Sequence, residues 1–352
     1  LKFLFIAQGC LPFHHRSLDE RPLGGIETGI IRLAAALKDN GHEVIVATSL
    51  VNPPLSEPLY IPLTAVNDVG PVDVLVAVRD WQTVFVPTER KLTMFWTGDS
   101  YDQPQTIGMG DHRVRERVNL YLTVSNWQAS QFNRVAGIPL EQCCAIGNGV
   151  HLEYFHRSEK RELHRLIYSS TPYRGLDLLP VIYNLIKQSL PSASLHVFSG
   201  YKVYEGGGKY PQETLDRFER TKQQLNSLPD CFVHGNIKQS ELAREFMKSA
   251  LLCYPNTFAE TSCITALEAQ AAGCAIVSSN LGALPETSAG ASLLINLDRD
   301  LATYCRNFSA ACLSILTDPM RWQSMSNAGL AKRQELSWSS VARRLLERIS
   351  AA

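Results

Sequence analysis

The sequence has no long apolar run. Its most apolar stretches, such as Ala250–Tyr254 and Cys274–Val277, fall far short of the roughly 20 residues a membrane span needs. It has no excess of either charge: 34 Lys and Arg balance 34 Asp and Glu, which speaks against a broad electrostatic grip on nucleic acid. No Cys-x-x-Cys occurs among the nine cysteines, and the adjacent Cys143–Cys144 pair does not have metal-ligand spacing. Most of these thiols are expected to be buried and reduced, in a reducing compartment. There is no Gly-x-Gly-x-x-Gly to support a nicotinamide dinucleotide and no P-loop. The apolar Phe3–Ala7 is too short for a signal peptide, so a cytoplasmic location is expected. With 45% hydrophobic and 19% charged residues, disordered, collagenous and coiled-coil classes are excluded.

What is present is alternation. At ~150 residues per domain, 352 residues suggest two domains. Strand-like runs at Lys2–Ala7, Val44–Thr48, Asp73–Arg79, Lys91–Thr97, Tyr121–Ser125 and Cys143–Ile146 are interleaved with helical patterns such as Ile26–Lys38. The pattern restarts near residue 160. Strands are expected at Leu166–Ser169, Ser194–Phe198, Cys231–Val233, Leu251–Tyr254, Cys274–Ser278 and Ser292–Ile295, with helices at Arg174–Leu190, Leu215–Leu225, Ser240–Lys248 and Ser262–Ala272. Helices close the chain at Leu301–Leu316, Met320–Glu335 and Val341–Ile349. Strands alternating with helices predict parallel sheets covered on both faces: two doubly wound α/β domains joined near Gly149–Glu162. Gly206–Gly208 reads as a mobile loop. Residues 1–155 carry four excess negative charges and the remainder four excess positive ones, which suits an anionic ligand in the second half.

The segment Pro255–Gly273 carries the most chemistry. A strand ends at Pro255, a loop carries Phe258, Ala259 and Glu260, and a helix is expected to open near Thr261 and Ser262, capped by a hydroxyl. Free amides at such a start hold phosphate. Glu268, with seven residues between it and Glu260, lies two turns into the helix. Two carboxylates so placed can reach two parts of one elongated ligand, Glu260 a neutral polyhydroxyl group and Glu268 a ribose diol. Arg174 can fork onto a diphosphate. Gly24 and Gly25 let backbone approach phosphate before a helix. Asp298-Arg-Asp300 has metal-binding spacing but stands where a helix cap is expected, and His112–Arg117 is read as a solvated helix face.

The glutamate pair before Ala269-Gln-Ala-Ala-Gly273 resembles the signature of glycosyltransferase family 4. Gly24-Gly25-Ile26-Glu27, Gly41-His42-Glu43-Val44, Asn148-Gly149-Val150, Arg174-Gly175-Leu176, Val233-His234-Gly235, Gly282–Glu286 and Trp338 resemble that family in the same order along nearly the whole chain. Gly98 stands where many relatives carry histidine, and Ser170 or Thr171 where they carry a first basic residue. The resemblance implies the GT-B fold: two Rossmann-like domains facing across a cleft. Residues 1–155 would form the acceptor domain, with a helix at about 337–352 packing back on it, and residues 156–336 the donor domain. It implies a retaining hexosyltransferase that needs no metal or other cofactor and moves a sugar, expected to be glucose, from a UDP-sugar to an acceptor hydroxyl. Guanosine and adenosine remain open as the base. Glu260 and Arg174 would be catalytic. Gly24, Gly25, Arg174, Thr261 and Ser262 would hold phosphates, Phe258, Ala259, Glu260 and Thr261 the donor sugar, Glu268 the ribose, and Gly235, Asn236 and Ile237 the base. Asp99 and His14 are the acceptor-side candidates. The implied partners are a nucleotide sugar and a glycan or glycolipid acceptor of polysaccharide or cell-envelope synthesis, with no nucleic acid and with peripheral contact at the inner face of a membrane as an open expectation. An epimerase or hydrolase of the same fold, and a non-catalytic nucleotide-sugar-binding subunit, stay open as alternatives.

Overall fold

A computed structural model describes residues 1–156, 159–201, 210–288 and 290–351. The Gly206–Gly208 run lies outside them. The chain divides into two compact units, Leu1–Gly149 with Ser337–Ala352, and Val150–Leu336.

The first unit is built on seven parallel strands: β1 (Lys2–Ile6), β2 (Glu43–Thr48), β3 (Leu59–Pro62), β4 (Val72–Val78), β5 (Arg90–Trp96), β6 (Leu120–Thr123) and β7 (Cys143–Ala145), in the order β3-β2-β1-β4-β5-β6-β7. Their near-continuous apolar runs are what a sheet covered on both faces requires. Helix Gly25–Asp39 covers one face with Ile30, Leu33, Ala34 and Leu37, all fully buried. The C-terminal helix Trp338–Ser350 packs beside it through Trp338, Val341, Ala342 and Leu345. Gly29 permits this packing, because a Cβ there would stand 3.1 Å from Trp96 and 3.3 Å from Trp338.

The second unit has six parallel strands: β8 (Glu162–Ser169), β9 (Ser194–Phe198), β10 (Cys231–Val233), β11 (Ser249–Tyr254), β12 (Ala275–Ser279) and β13 (Ser292–Ile295), ordered β10-β9-β8-β11-β12-β13. In both sheets the order reverses once, between β1 and β4 and between β8 and β11. Ligands of open parallel sheets bind beyond the carboxyl ends of strands at such a reversal.

Four elements differ from the sequence reading. β3 was not foreseen, being a four-residue edge strand that ends on Pro62. The helix expected from Arg174 opens later, through a 3-10 turn at Leu176–Leu178 and then Leu179–Ser189, because Gly175 turns left-handed at φ +83°. The helix expected from Ser262 begins at Ile264, with Cys263 at its cap and no side-chain capping bond. Cys263, rather than Thr261 or Ser262, stands at the cap position, and the Thr265 hydroxyl donates to the Ser169 carbonyl, 2.7 Å away. Val150–Phe155, read as the tail of the first domain, lies with the second: Val150 and Phe155 are buried in its core. Asp300 accepts from the Ala302 and Thr303 amides as the cap of helix Leu301–Leu316. All nine cysteines are free, seven of them buried.

Candidate active site

Three segments meet at the reversal point of the second sheet. After β8 the chain turns through Ser170–Gly175, with the Arg174 amide donating to the Thr171 carbonyl at 3.1 Å. After β11 it runs Pro255–Cys263. After β12 it returns through Leu281–Ala283.

Glu260 is the hub. Its side chain is 8% exposed, and one carboxylate oxygen forms an ion pair with Arg174. The other accepts from the Tyr254 hydroxyl at 2.5 Å. Ser170 Oγ lies 3.3 Å from that same hydroxyl; with the tyrosine proton on Glu260, the serine donates. The Glu260 carbonyl accepts from the Ala283 amide at 2.7 Å. Gly282 makes this approach possible: at φ +62°, a Cβ there would lie 2.5 Å from the Glu260 carbonyl oxygen and 2.6 Å from its amide nitrogen. The loop before Glu260 is locked by fully buried Asn256, whose side-chain oxygen accepts from the Phe258 amide at 2.9 Å and whose side-chain nitrogen donates to the Phe258 carbonyl. The Arg174 guanidinium lies 4.1 Å above the Phe258 ring and 5.3 Å from that of Tyr173, both within cation–π range. Burial works against the Arg174 charge, but neighbouring Glu260 outweighs it and holds the guanidinium firmly protonated. Burial, then Glu260, push the Tyr254 hydroxyl well up, so it stays a donor.

Glu268 is buried in helix Ile264–Ala272. Burial raises its carboxyl to about 7, a shift only partly offset by Gln239, whose side-chain nitrogen donates to it at 3.0 Å. A raised carboxyl binds more protons in the folded chain than in the unfolded one between pH ~4.5 and ~7, so stability falls as pH rises through that window. The full shift corresponds to a loss on the order of 3 kcal/mol. Glu268→Gln is therefore expected to unfold at a higher temperature than the parent at pH 8 and at nearly the same temperature at pH 5. Equal differences at both pH values would assign the effect to packing.

The base-side candidates follow β10. Gly235 takes φ +74°, Ile237 packs on the second core, and Asn236 is seated against Gly200, where a Cβ would lie 2.5 Å from its side-chain oxygen. That oxygen is buried without a hydrogen-bond partner. Phe258 and Ala259 are half-buried, Thr261 is buried, and Ser262 is half-buried in the loop ahead of the helix. The expectation that Thr261 and Ser262 form the helix start is thus corrected: the first helical amides are those of Ile264 and Thr265.

In the first unit, Gly24 caps helix Gly25–Asp39 with extended backbone and no side-chain bond. Asp99, after β5, accepts from the Arg79 guanidinium at 3.0 Å and from the Thr97 hydroxyl at 3.0 Å. His14 lies in a turn, 3.4 Å from Glu20 across a histidine–carboxylate contact. No hydrogen bond or ion pair joins His14 to Asp99 among the described contacts. Arg79, at φ +67° after β4, went unnoticed in the sequence. So did Tyr254, whose only signal was a hydroxyl at the end of an otherwise apolar strand, and Gln239.

Residues 158–293 match the family model described as glycosyl transferases group 1, a segment that contains Arg174, Gln239, Tyr254, Glu260, Glu268 and Gly282. No curated protein matches the sequence significantly. Among solved structures, a glycosyltransferase from Rickettsia africae superposes with a TM-score of 0.72 at 15% identity, over 98% of this chain and 97% of its own. The sucrose-phosphate synthase of Thermosynechococcus elongatus gives 0.69 at 16%, over 99% and 98%. Anabaena HepE, solved with UDP and glucose, gives 0.68 at 14%, over the whole of both chains. The chain therefore has the GT-B fold of these proteins, two parallel-sheet α/β domains, and its residues 158–293 carry the sequence pattern of the group 1 glycosyl transferases.

Proposed function

We propose that the protein is a retaining glycosyltransferase that moves a hexose from a nucleoside diphosphate sugar, with UDP-glucose the first donor to try, to an acceptor hydroxyl. The observation that carries this reading is the pair of buried carboxylates at the reversal point of the second sheet, Glu260 clamped between Arg174 and Tyr254 and Glu268 held by Gln239. A carboxylate with both oxygens engaged is suited to orient a sugar hydroxyl rather than to attack carbon. Glu260 is accordingly assigned the donor sugar, together with backbone of Phe258–Thr261, and Glu268 the ribose diol. Residues Gly235–Ile237 are assigned the base. Arg174 is assigned the diphosphate, whose negative charge grows as the sugar departs. Gly24 and Gly25 stand at the start of helix Gly25–Asp39, a place suited to an anion.

In the proposed step the bond from the anomeric carbon to the phosphate oxygen breaks. The acceptor oxygen bonds to the same face of that carbon, and its proton passes to the departing phosphate oxygen. No metal is assigned a part in it. The acceptor is proposed to be a glycan or glycolipid met at a membrane surface; no helix among the described residues is long and apolar enough to cross one.

A thermal-shift series with UDP, GDP and ADP, run with a chelator present, tests the reading. One diphosphate is expected to raise the midpoint saturably, and Glu268→Ala to weaken its binding by 10-fold or more while leaving the unfolding cooperative. No shift with any diphosphate at millimolar concentration would remove the nucleotide site. Release of free sugar at the same rate with and without acceptor would favour a hydrolase.

A further inference from the structure

Gln239 opens helix Gln239–Lys248, which packs against helix Ile264–Ala272. Its side-chain nitrogen donates to one oxygen of Glu268 at 3.0 Å. Its side-chain oxygen is buried and has no hydrogen-bond partner. An unpaired buried acceptor costs about 1–3 kcal/mol, and the bond to Glu268 uses only the nitrogen of this carboxamide. The two groups of one carboxamide are fixed relative to each other, so its oxygen stands beside the carboxylate its nitrogen touches. Gln239 and Glu268 together present neighbouring acceptors: the amide oxygen and the carboxylate oxygen that Gln239 does not use. Two adjacent acceptors match the two adjacent donors of a cis-diol. Gln239 as a whole is half-buried.

We infer that Gln239 is a second ribose-binding residue, its side-chain oxygen accepting one hydroxyl of the bound nucleoside while its nitrogen holds Glu268 in place for the other. This rests on the nucleotide reading of the site. It makes discrimination between ribose and deoxyribose a property of the pair rather than of the glutamate alone.

The test measures binding of UDP, GDP and ADP and of the 2′-deoxy and 3′-deoxy forms of whichever binds best, to the parent chain, Gln239→Met and Gln239→Ala. Methionine keeps the length of the side chain and removes both polar groups, and the alanine variant guards against a packing artefact. The parent is expected to prefer the full ribonucleotide about 5- to 10-fold over each monodeoxy form, the scale of one hydrogen bond. Both variants are expected to lose the preference over one monodeoxy form and to keep a larger part of it over the other, since Glu268 remains but loses the nitrogen that holds it. Uniform weakening of all three ligands, with the preferences intact, would make Gln239 a structural residue and overturn the inference alone. Failure of the parent to bind any ribonucleotide would overturn the nucleotide reading and the inference with it.

Discussion

Glu260→Ala is expected to lower turnover about 10²- to 10³-fold, the scale of losing one preorganised group that acts on the transition state. Four contacts hold this carboxylate and its peptide: the Arg174 ion pair, the Tyr254 hydroxyl, the Ala283 amide and the close approach of Gly282. So much local structure around one loop position is hard to explain by stability alone. Removing one member of a buried pair leaves the other uncompensated, and such losses reach several kcal/mol. Arg174 is 19% exposed, so water screens part of that penalty. Glu260→Gln isolates the loss of the charge from the loss of the side chain. It keeps the size of the side chain and an oxygen for the Tyr254 hydroxyl, and it leaves the Arg174 charge unneutralised. Turnover is expected to fall at least 30-fold with Glu260→Gln, while affinity for the free nucleoside diphosphate changes less than about threefold, since Glu268 and Gln239 are untouched. A turnover within threefold of the parent would place Glu260 outside the reacting site. A parallel loss of nucleotide affinity would move its role from the sugar to the diphosphate.

The parts of this fold legible in the sequence were those governed by local physics. Parallel strands are written as short, mainly apolar runs between helical patterns, and the bounds of Ser194–Phe198, Cys231–Val233 and Ser292–Ile295 agree with that reading. Helix starts were less legible, because capping preference is a weak local rule that tertiary partners override. Thr265 spends its hydroxyl on the Ser169 carbonyl, 96 residues away in sequence, and the helix opens at Ile264 without a hydroxyl cap. Glu260 and Glu268 were legible from their spacing. The groups that clamp them were not. Tyr254 comes from β11, Arg174 from the turn after β8 and Gly282 from the turn after β12, and only the order β8-β11-β12 makes these neighbours. In the first unit, likewise, Asp99 could be found after the end of its strand, but its partner Arg79 follows adjacent β4 and adopts a left-handed backbone that no pattern announces.

Gly175→Ala is expected to destabilise the second unit by about 2–4 kcal/mol, read as a lower urea midpoint, and to lower turnover at least 10-fold. Two separate penalties act at this position. At φ +83° any side chain is strained, by roughly 1–2 kcal/mol. A Cβ would in addition stand 1.9 Å from the Pro255 carbonyl oxygen and 2.8 Å from its carbon, a distance at which backbone must move. The Pro255 side cannot yield freely. The Asn256 amide donates to the Tyr254 carbonyl at 2.8 Å, the Ser279 hydroxyl bonds the Asn256 carbonyl, and the Asn256 side chain grips Phe258. The displacement therefore falls on the Arg174 turn, which is held by the Arg174 amide on Thr171 and by the Tyr168 hydroxyl on the Arg174 carbonyl at 3.3 Å. Shifting that turn by even about 1 Å takes the guanidinium off Glu260 and away from the diphosphate proposed for it, so stability and turnover fall together. Gly235→Ala is the matched control. It has nearly the same backbone, φ +74°, but open space where the Cβ would go. It is expected to cost only the conformational part, about 1 kcal/mol. If Gly175→Ala proves no less stable than Gly235→Ala, the close approach to Pro255 is not what fixes Arg174, and the Arg174–Glu260 clamp must be positioned by the ion pair itself.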